Sequence, residues 1–117
     1  MNTKPYKIEW LVIPANDLEK AAEFYSTIFN WKISKFSPEF WLFDADTIHG
    51  GFDSDLKPNS DGIRFSITVE SIEETLQEIE HSGGKKVKEK YGIGLSLGYT
   101  ASFCDPNGNI VELWAEK

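Results

Sequence analysis

An internal repeat is the feature that most constrains how this chain can fold. Each half begins with an extended apolar segment, Ile8 to Ile13 in the first and Ile63 to Val69 in the second, and an amphipathic helical segment follows each of them. An offset of 54 residues relates the halves and places Asp17 over Ser71. Both residue types are good helix N-caps, and acidic residues follow them. The spacing therefore predicts two copies of one structural unit.

Each copy continues with three further extended segments after its helix. The helices are predicted over Asp17 to Phe29 and over Ile72 to Glu80, and the second helix ends before Gly83 and Gly84. The extended segments are Trp31 to Ile33, Phe40 to Phe43 and Thr47 to Phe52 in the first half, and Lys86 with Val87, Tyr99 to Cys104 and Ile110 to Trp114 in the second. Each half reads β-α-β-β-β, so we predict an α+β fold with modules at approximately residues 1–55 and 62–117.

Length and charge narrow the class of protein. The 117 residues suffice for a single domain over residues 1–117, with the Pro-, Asn- and Gly-containing stretch Asp53 to Gly62 linking the modules. The net charge of −7 comes without a basic cluster, which argues against nucleic acid as a partner. No window approaches the apolar length of a membrane span, and Cys104 is a lone cysteine, so we expect a cytoplasmic protein that does not enter a membrane.

A lone carboxylate interrupts the last apolar strand. The turn Asp105-Pro106-Asn107-Gly108 precedes the strand that contains Glu112. Period-2 alternation places Glu112 on the face of Ile110 and Trp114, and it places Val111 and Leu113 under the helices. A buried unpaired charge costs several kcal/mol, roughly, so Glu112 is expected to face a cleft, a cation or a ligand.

These features together resemble one known family. The duplicated βαβββ modules, the helix that begins Asp17-Leu18-Glu19-Lys20-Ala21-Ala22-Glu23-Phe24-Tyr25 and the closing Asp-Pro-Asn-Gly-Asn-Ile-Val-Glu-Leu-Trp are similar to the vicinal oxygen chelate superfamily. That superfamily includes glyoxalase I, extradiol dioxygenases, fosfomycin-resistance transferases and bleomycin-resistance proteins. The resemblance implies a glyoxalase-type fold, in which the modules form a curled mixed sheet around a cleft. It does not name the reaction, because the superfamily contains both metalloenzymes and metal-free binding proteins.

The resemblance also implies where a site would lie. In the metalloenzymes the ligands come from the first and last strands of each module, and the repeat places those positions at Trp10, His49, Arg64 and Glu112. His49 is matched to Glu112 by an offset of 63 residues, which aligns the two hairpin turns. Only His49 and Glu112 are metal-binding residue types, whereas a catalytic metal site normally takes three protein ligands.

Two functions follow as hypotheses. In the first, Trp10, His49, Arg64 and Glu112 bind a small organic molecule, and the protein is a binding protein or a diverged enzyme without tight metal dependence. Arg64 would hold a carboxylate or enolate oxygen, and Trp10 would offer a flat surface. In the second, a divalent metal (Zn, Ni, Mn or Fe) on His49 and Glu112 supports a lyase, isomerase or dioxygenase, with Glu112 as the candidate catalytic residue. A chiefly structural module is a third possibility.

Other residues carry weaker expectations. His49 also fits a hydrogen-bonded structural residue on an edge strand, and Glu112 also fits an ion pair with Arg64. Trp41 and Tyr99 are candidate additions to the flat surface at Trp10. The remaining expectations are a structural His81 at a helix C-terminus, an inert Cys104, a flap over Gly92 to Gly98, and a homodimer that uses the strand Phe40 to Phe43.

Overall fold

The computed structural model describes Thr3, Pro5 and residues 8–58 and 61–117, and within these ranges the chain forms eight strands and two helices. In chain order they are β1 (Trp10–Pro14), α1 (Leu18–Phe29), β2 (Lys32–Lys35), β3 (Phe40–Asp44), β4 (His49–Asp53), β5 (Ser66–Thr68), α2 (Ile72–His81), β6 (Lys85–Gly92), β7 (Tyr99–Cys104) and β8 (Ile110–Ala115). The order β-α-β-β-β occurs twice, which confirms the predicted α+β fold of two modules. Asn59 and Ser60 of the predicted linker lie outside the described residues.

The strands form two four-stranded mixed sheets, one per module. The first sheet has the order β1-β4-β3-β2 and the second has the order β5-β8-β7-β6. In each sheet the first and last strands of the module run parallel, and the remaining neighbours are antiparallel. Both β3 and β4 are interior strands. The expectations that His49 stands on an edge strand and that Phe40 to Phe43 is an exposed strand are therefore wrong, because β2 and β1 cover them on either side.

The helix ends follow the local sequence as predicted. The side chain of Asp17 accepts a hydrogen bond from the backbone N–H of Lys20, and the side chain of Ser71 accepts one from Glu74. These bonds satisfy backbone donors that the first helical turn would otherwise leave open. Asn30 ends α1 in the left-handed conformation, and α2 extends to His81, which lies in its last turn. The predicted position of His81 at the negative end of a helix is confirmed.

Helix α1 lies between the two sheets and joins them into one core. On one side the Tyr25 ring packs on Phe52 of β4, at 5.3 Å between centroids. On the other side Phe24 and Phe29 pack on Phe103 of β7, at 5.9 and 6.0 Å. The helix-facing sides of both sheets are therefore buried, and their opposite sides are outer faces.

The two modules are held together at the turn between β7 and β8. Tyr25 Oη donates to Asp105 Oδ2 at 3.0 Å, and Asn109 Nδ2 donates to the carbonyl of Pro14 at 2.7 Å. The side chain of Asn107 accepts from the backbone N–H of Asp17 and donates to its carbonyl. Asp105 and Asn109 are buried polar residues, so this interface is stable only when their polar atoms have hydrogen-bond partners.

Two strands start later than the sequence suggests. Strand β1 begins at Trp10, and Ile8 before it is largely exposed. Strand β5 contains only Ser66–Thr68, and Ile63 is fully exposed. Both strands lie at a sheet edge and pair with one neighbour. Strand β1 begins opposite His49, the first residue of β4, whereas β5 begins opposite Glu112, which lies two residues inside β8.

Candidate functional site

The outer face of the first sheet carries Trp10 and His49 side by side. They are register partners in the parallel pair of β1 and β4, so their side chains lie on the same face. Trp10 is 54% exposed. With Leu42 and Lys32 they line a pocket of about 360 Å³, whose lining residues all belong to the first module. This pocket is the first half of the candidate site.

His49 has a local partner in the same sheet. Its Nε2 lies 3.3 Å from Asp44 Oδ1, across the pair of strands β3 and β4. A hydrogen bond from the backbone N–H of Asp46 is the main cause that lowers the pKa of the Asp44 carboxyl, and the charge of His49 adds to it. The Asp44 carboxylate therefore stays ionised and available to orient the imidazole. This contact fits the structural reading of His49 as well as a role in binding.

The outer face of the second sheet carries Glu112 with two partners. An Arg64 guanidinium nitrogen lies 3.9 Å from Glu112 Oε2, and Ser66 Oγ donates to Glu112 Oε1 at 3.4 Å. Both charged side chains are little more than one-third exposed. Val111 and Leu113 are fully buried on the opposite side, as the alternation predicted. Glu112 is thus a solvated carboxylate beside a guanidinium, which removes the cost of an unpaired buried charge.

Each pair of candidate residues belongs to a different sheet. Trp10 and His49 lie on the outer face of the first sheet, and Arg64 and Glu112 lie beside one another on that of the second. The helix-facing sides share the core through α1, so the core separates the two outer faces. The structure brings the four residues together as two pairs and not as one cluster.

Sheet registers revise the match between His49 and Glu112. In the hairpin of the first module His49 pairs with Asp44 next to the turn, and in the second module Ile110 pairs with Cys104 in the same place. At the other strand end, Ala15 donates to the carbonyl of Asp53, and Val69 donates to that of Trp114. Both observations match His49 with Ile110.

Gly51 is therefore the counterpart of Glu112. The predicted offset of 63 residues is wrong because the turn between β7 and β8 is one residue longer than the turn between β3 and β4. Similar residue types in the two turns therefore do not occupy equivalent positions. The Phe40 ring lies over Gly51, so closely that an added Cβ would come within 2.3 Å of it. An aromatic ring thus occupies the place where a side chain at the fourth related position would stand.

The residues at the four related positions do not fit the divalent metal that the fold family implies. They are Trp10, Gly51, Arg64 and Glu112, and only the last offers a metal-binding side chain. Within the part of the chain that the structure describes, no three His, Cys, Asp or Glu side chains form a group that could hold a metal ion.

Two predicted aromatic neighbours of Trp10 lie elsewhere. Trp41 pairs with Phe52 on the helix-facing side of the first sheet, and Tyr99 pairs with Ala115 on that side of the second. Trp114 lies instead on the outer face with Glu112, and its Nε1 donates to the carbonyl of Leu97 at 2.9 Å. The loop after Gly92 is thus tied to the outer face. The alternation of β8 predicts this position of Trp114, whereas Gly51 and Phe40 give no chemical signal in the sequence.

Cys104 is half-buried, and burial raises the pKa of its thiol. The nearby charge of Asp105 acts in the same direction, while Lys85 opposes it. A raised pKa keeps the thiol protonated at neutral pH, so its nucleophilicity is low. This agrees with the expectation of an inert cysteine.

Comparisons with known proteins establish the family. A sequence model of the Glyoxalase/Bleomycin resistance protein/Dioxygenase superfamily matches residues 7–113, and the chain belongs to that superfamily. It is 27% identical over 115 residues to a glyoxylase-like domain-containing protein from Didymella fabae, with 88% of each chain covered. The structural comparisons agree with this assignment.

The fold is similar to solved structures at low sequence identity. A glyoxalase/bleomycin resistance protein/dioxygenase family enzyme from Burkholderia phytofirmans PsJN matches with a TM-score of 0.79 and 16% identity, over 93% of this chain and 98% of the other. Lactoylglutathione lyase from Agrobacterium tumefaciens matches with a TM-score of 0.68 and 20% identity, over 95% and 94%. Neither helix of the described residues has the length and apolar character needed to span a bilayer.

Proposed function

We propose that this protein binds a small organic molecule without tight metal dependence, as a binding protein or a diverged enzyme. The observation that carries the proposal is the residue set at the four related positions, where Trp10, Gly51 and Arg64 accompany the single carboxylate Glu112. A guanidinium keeps positive charge at the site without a metal, and it presents paired N–H donors to a carboxylate or enolate.

The pair of Arg64 and Glu112 defines the chemistry of the ligand. Their separation of 3.9 Å is longer than the roughly 2.7–2.9 Å of a strong charge-assisted hydrogen bond. A ligand oxygen can therefore approach Arg64 while a neighbouring hydroxyl or amine of the same ligand donates to Glu112. A planar hydroxy acid meets both requirements, and its ring would stack on Trp10.

A complete site needs both outer faces, and we propose that a homodimer supplies them. The first sheet of one protomer would face the second sheet of its partner, so that Trp10 of one chain meets Arg64 and Glu112 of the other. The exposed apolar surface at Trp10 and Val12 supports this assembly, because soluble monomers rarely leave such surface uncovered. We also propose a cytoplasmic location, since the lone Cys104 suits a reducing compartment.

Subunit complementation tests both proposals with salicylate as the probe and benzyl alcohol as the uncharged control. Trp10→Ala and Arg64→Ala, each alone, should lose salicylate binding by calorimetry. When the two variants are mixed and allowed to exchange subunits, each heterodimer contains one site with both residues intact. Binding should return to roughly a quarter of the wild-type capacity for statistical exchange.

The controls separate the possible failures. Wild-type binding should survive EDTA, and Arg64→Lys should keep the charge while losing the bidentate contact and most of the affinity. Absence of rescue in the mixture, with dimers present, would show that the site lies within one chain. Failure of every planar acid to bind the wild type would overturn the proposed ligand class.

The alternative is a divalent-metal-dependent lyase, isomerase or dioxygenase that uses His49 and Glu112. Its support is the similarity to a structure described as lactoylglutathione lyase. Metal analysis of protein purified without chelator, followed by titration of Zn, Ni, Mn and Fe(II), distinguishes the two. Stoichiometric metal that is lost in both His49→Ala and Glu112→Ala would replace the metal-free proposal with this one.

A further inference from the structure

A second cavity lies between the modules and borders the outer faces, because Asp44 and Ser66 line it. It is a groove of about 910 Å³, hereafter the inter-module groove, bounded by the end of α1, the turn between β3 and β4, strand β5 and the start of α2. Partly buried apolar side chains line it: Leu11, Ile28, Phe29, Phe65, Ile67 and Val69. Its volume lies in the range of small-molecule sites, which is about 300–1,000 Å³.

The charges that line the groove are almost all negative. Among the residues that the structure describes, the negative charges are those of Asp44, Asp46, Glu70, Glu74 and Glu78, and Lys32 is the one cation. Asp44 already contacts His49. Among the described residues, none of the other four carboxylates forms an ion pair. Apolar surface beneath unpaired carboxylates favours a ligand that combines a cationic group with a hydrophobic body.

The helix ends add to the negative potential. The C-terminal end of α1, at Phe29 and Asn30, lines the groove, and no basic residue stands in its last turn. The negative end of the helix dipole is therefore not neutralised from within the helix. The start of α2 at Ser71 contributes the opposite sign, but Glu70 and Glu74 flank it. The net field in the groove favours a cation.

The groove stays open because the turn between β3 and β4 differs in sequence from the turn between β7 and β8. On the far side of the module interface, Asn107 bridges the turn between β7 and β8 to the start of α1, and Asn109 bridges it to the end of β1. The corresponding turn of the first module contains Ala45, Asp46 and Thr47, which bring no amide side chain and add a negative charge. The equivalent bridge to the start of α2 is missing among the described residues, and the space remains as a cavity.

We propose that the inter-module groove binds a small hydrophobic organic cation, with its ammonium or guanidinium group at the carboxylates of Glu70, Glu74 and Glu78 and its apolar body on the floor. This proposal does not rest on the ligand proposed for the outer faces, and Asp44 and Lys32 line both this groove and the pocket at Trp10. The test uses 2-naphthylmethylammonium as the probe, with 2-naphthalenemethanol and 2-naphthoate as neutral and anionic controls. We expect the cation to bind at least about tenfold more tightly than the alcohol, and the anion not to bind.

Two variant pairs localise the binding. Glu70→Gln/Glu74→Gln/Glu78→Gln should weaken binding of the cation about fivefold or more. The control Glu19→Gln/Glu23→Gln/Glu116→Gln removes the same charge from exposed positions elsewhere and should change it less than twofold. Ile28→Lys places an ammonium on the floor and should abolish binding, whereas Ile93→Lys in the loop after β6 should leave it unchanged.

Several results would overturn the proposal. Equal affinity for the cation and the alcohol would show that the groove has no charge selectivity. An equal loss of affinity for the cation in the two triple variants would show that binding depends on the net charge of the protein and not on the carboxylates at the groove. Amide chemical-shift changes confined to the outer faces would place the ligand elsewhere, and so would loss of binding in Arg64→Ala, which should retain it. A groove buried by a second copy would appear as binding that increases on dilution.

Discussion

At Gly51 this chain keeps the fold of its family but has no side chain that could bind a ligand or a metal. This glycine occupies the position that corresponds to Glu112, and the ring of Phe40 fills the space above it. Because a Cβ at this position would meet the ring within 2.3 Å, glycine and Phe40 are a matched pair. A carboxylate could be introduced here only if the ring moved or was removed.

Gly51→Ala should therefore lower the free energy of unfolding by about 1–3 kcal/mol, because the methyl group overpacks against Phe40. In the Phe40→Ala background the same change should become neutral or stabilising, since alanine is favoured over glycine inside a strand. Urea denaturation of the four proteins measures the coupling. Gly92→Ala, whose Cβ would stand at an ordinary 3.6 Å from Tyr99, is the near-neutral control.

Tyr25 is the buried ionisable group that should control stability at alkaline pH. Burial is the main cause that raises its pKa well above the usual value, and the neighbouring charge of Asp105 acts in the same direction. The unfolded chain therefore releases the phenol proton above about pH 10, whereas the folded chain retains it. Stability from this group is fully present below pH 10 and is lost as the pH rises further.

The pH dependence of the free energy of unfolding measures this loss of stability. Above pH 10 the free energy of unfolding should fall by about 1.4 kcal/mol per pH unit from Tyr25, in addition to a contribution from Cys104, whose pKa is also raised. Tyr25→Phe should be less stable at pH 7 because it loses the bond to Asp105, but its slope should be shallower by one proton. An unchanged slope in Tyr25→Phe would contradict the assignment.

At the scale of elements, the turn between β7 and β8 holds the modules together. Asp105 Oδ1 accepts three backbone N–H groups of its own turn, from Asn107, Gly108 and Asn109. Its other oxygen accepts from Tyr25 and from the amide of Asn109. The turn is thus preorganised by one carboxylate, which lets Asn109 reach the carbonyl of Pro14 at the end of β1.

Asn109→Ala should lower the free energy of unfolding by about 2–3 kcal/mol, because it removes one buried and one partly buried hydrogen bond and leaves the Pro14 carbonyl without that partner. Asn107→Ala removes contacts at a more exposed position and should cost about 1 kcal/mol. Urea denaturation compares the two variants. Equal losses would mean that the bond to Pro14 does not hold the modules together.

Much of the element pattern could be predicted from local chemistry. Asp17 and Ser71 cap the helices as expected, and Val111 and Leu113 are buried while Glu112 is not. Strand neighbours could not be predicted, because they depend on pairing across long sequence separation. For that reason the strand of His49 proved to be interior, and Trp41 and Tyr99 proved to face the helices.

At the scale of the whole molecule, the outer face of the first sheet should be an interface. Val12→Arg places a charge beside Trp10 and should convert the proposed dimer to a monomer, with the helix content unchanged. Leu56→Arg, at a comparably exposed apolar position in the turn after β4, should remain dimeric. Sedimentation equilibrium at micromolar concentrations decides between them. A monomeric wild type would contradict the proposed assembly.

The sequence by itself determined the repeat, the helix caps, the alternation of each strand and the family, because these depend on residues that are close in the chain. Only the tertiary structure decided which residues are equivalent and which faces meet. Registers matched Glu112 with Gly51 rather than His49, and packing of α1 between the sheets separated Trp10 from Arg64. Turn length and core packing set these relations, and neither has a fixed spacing in the sequence.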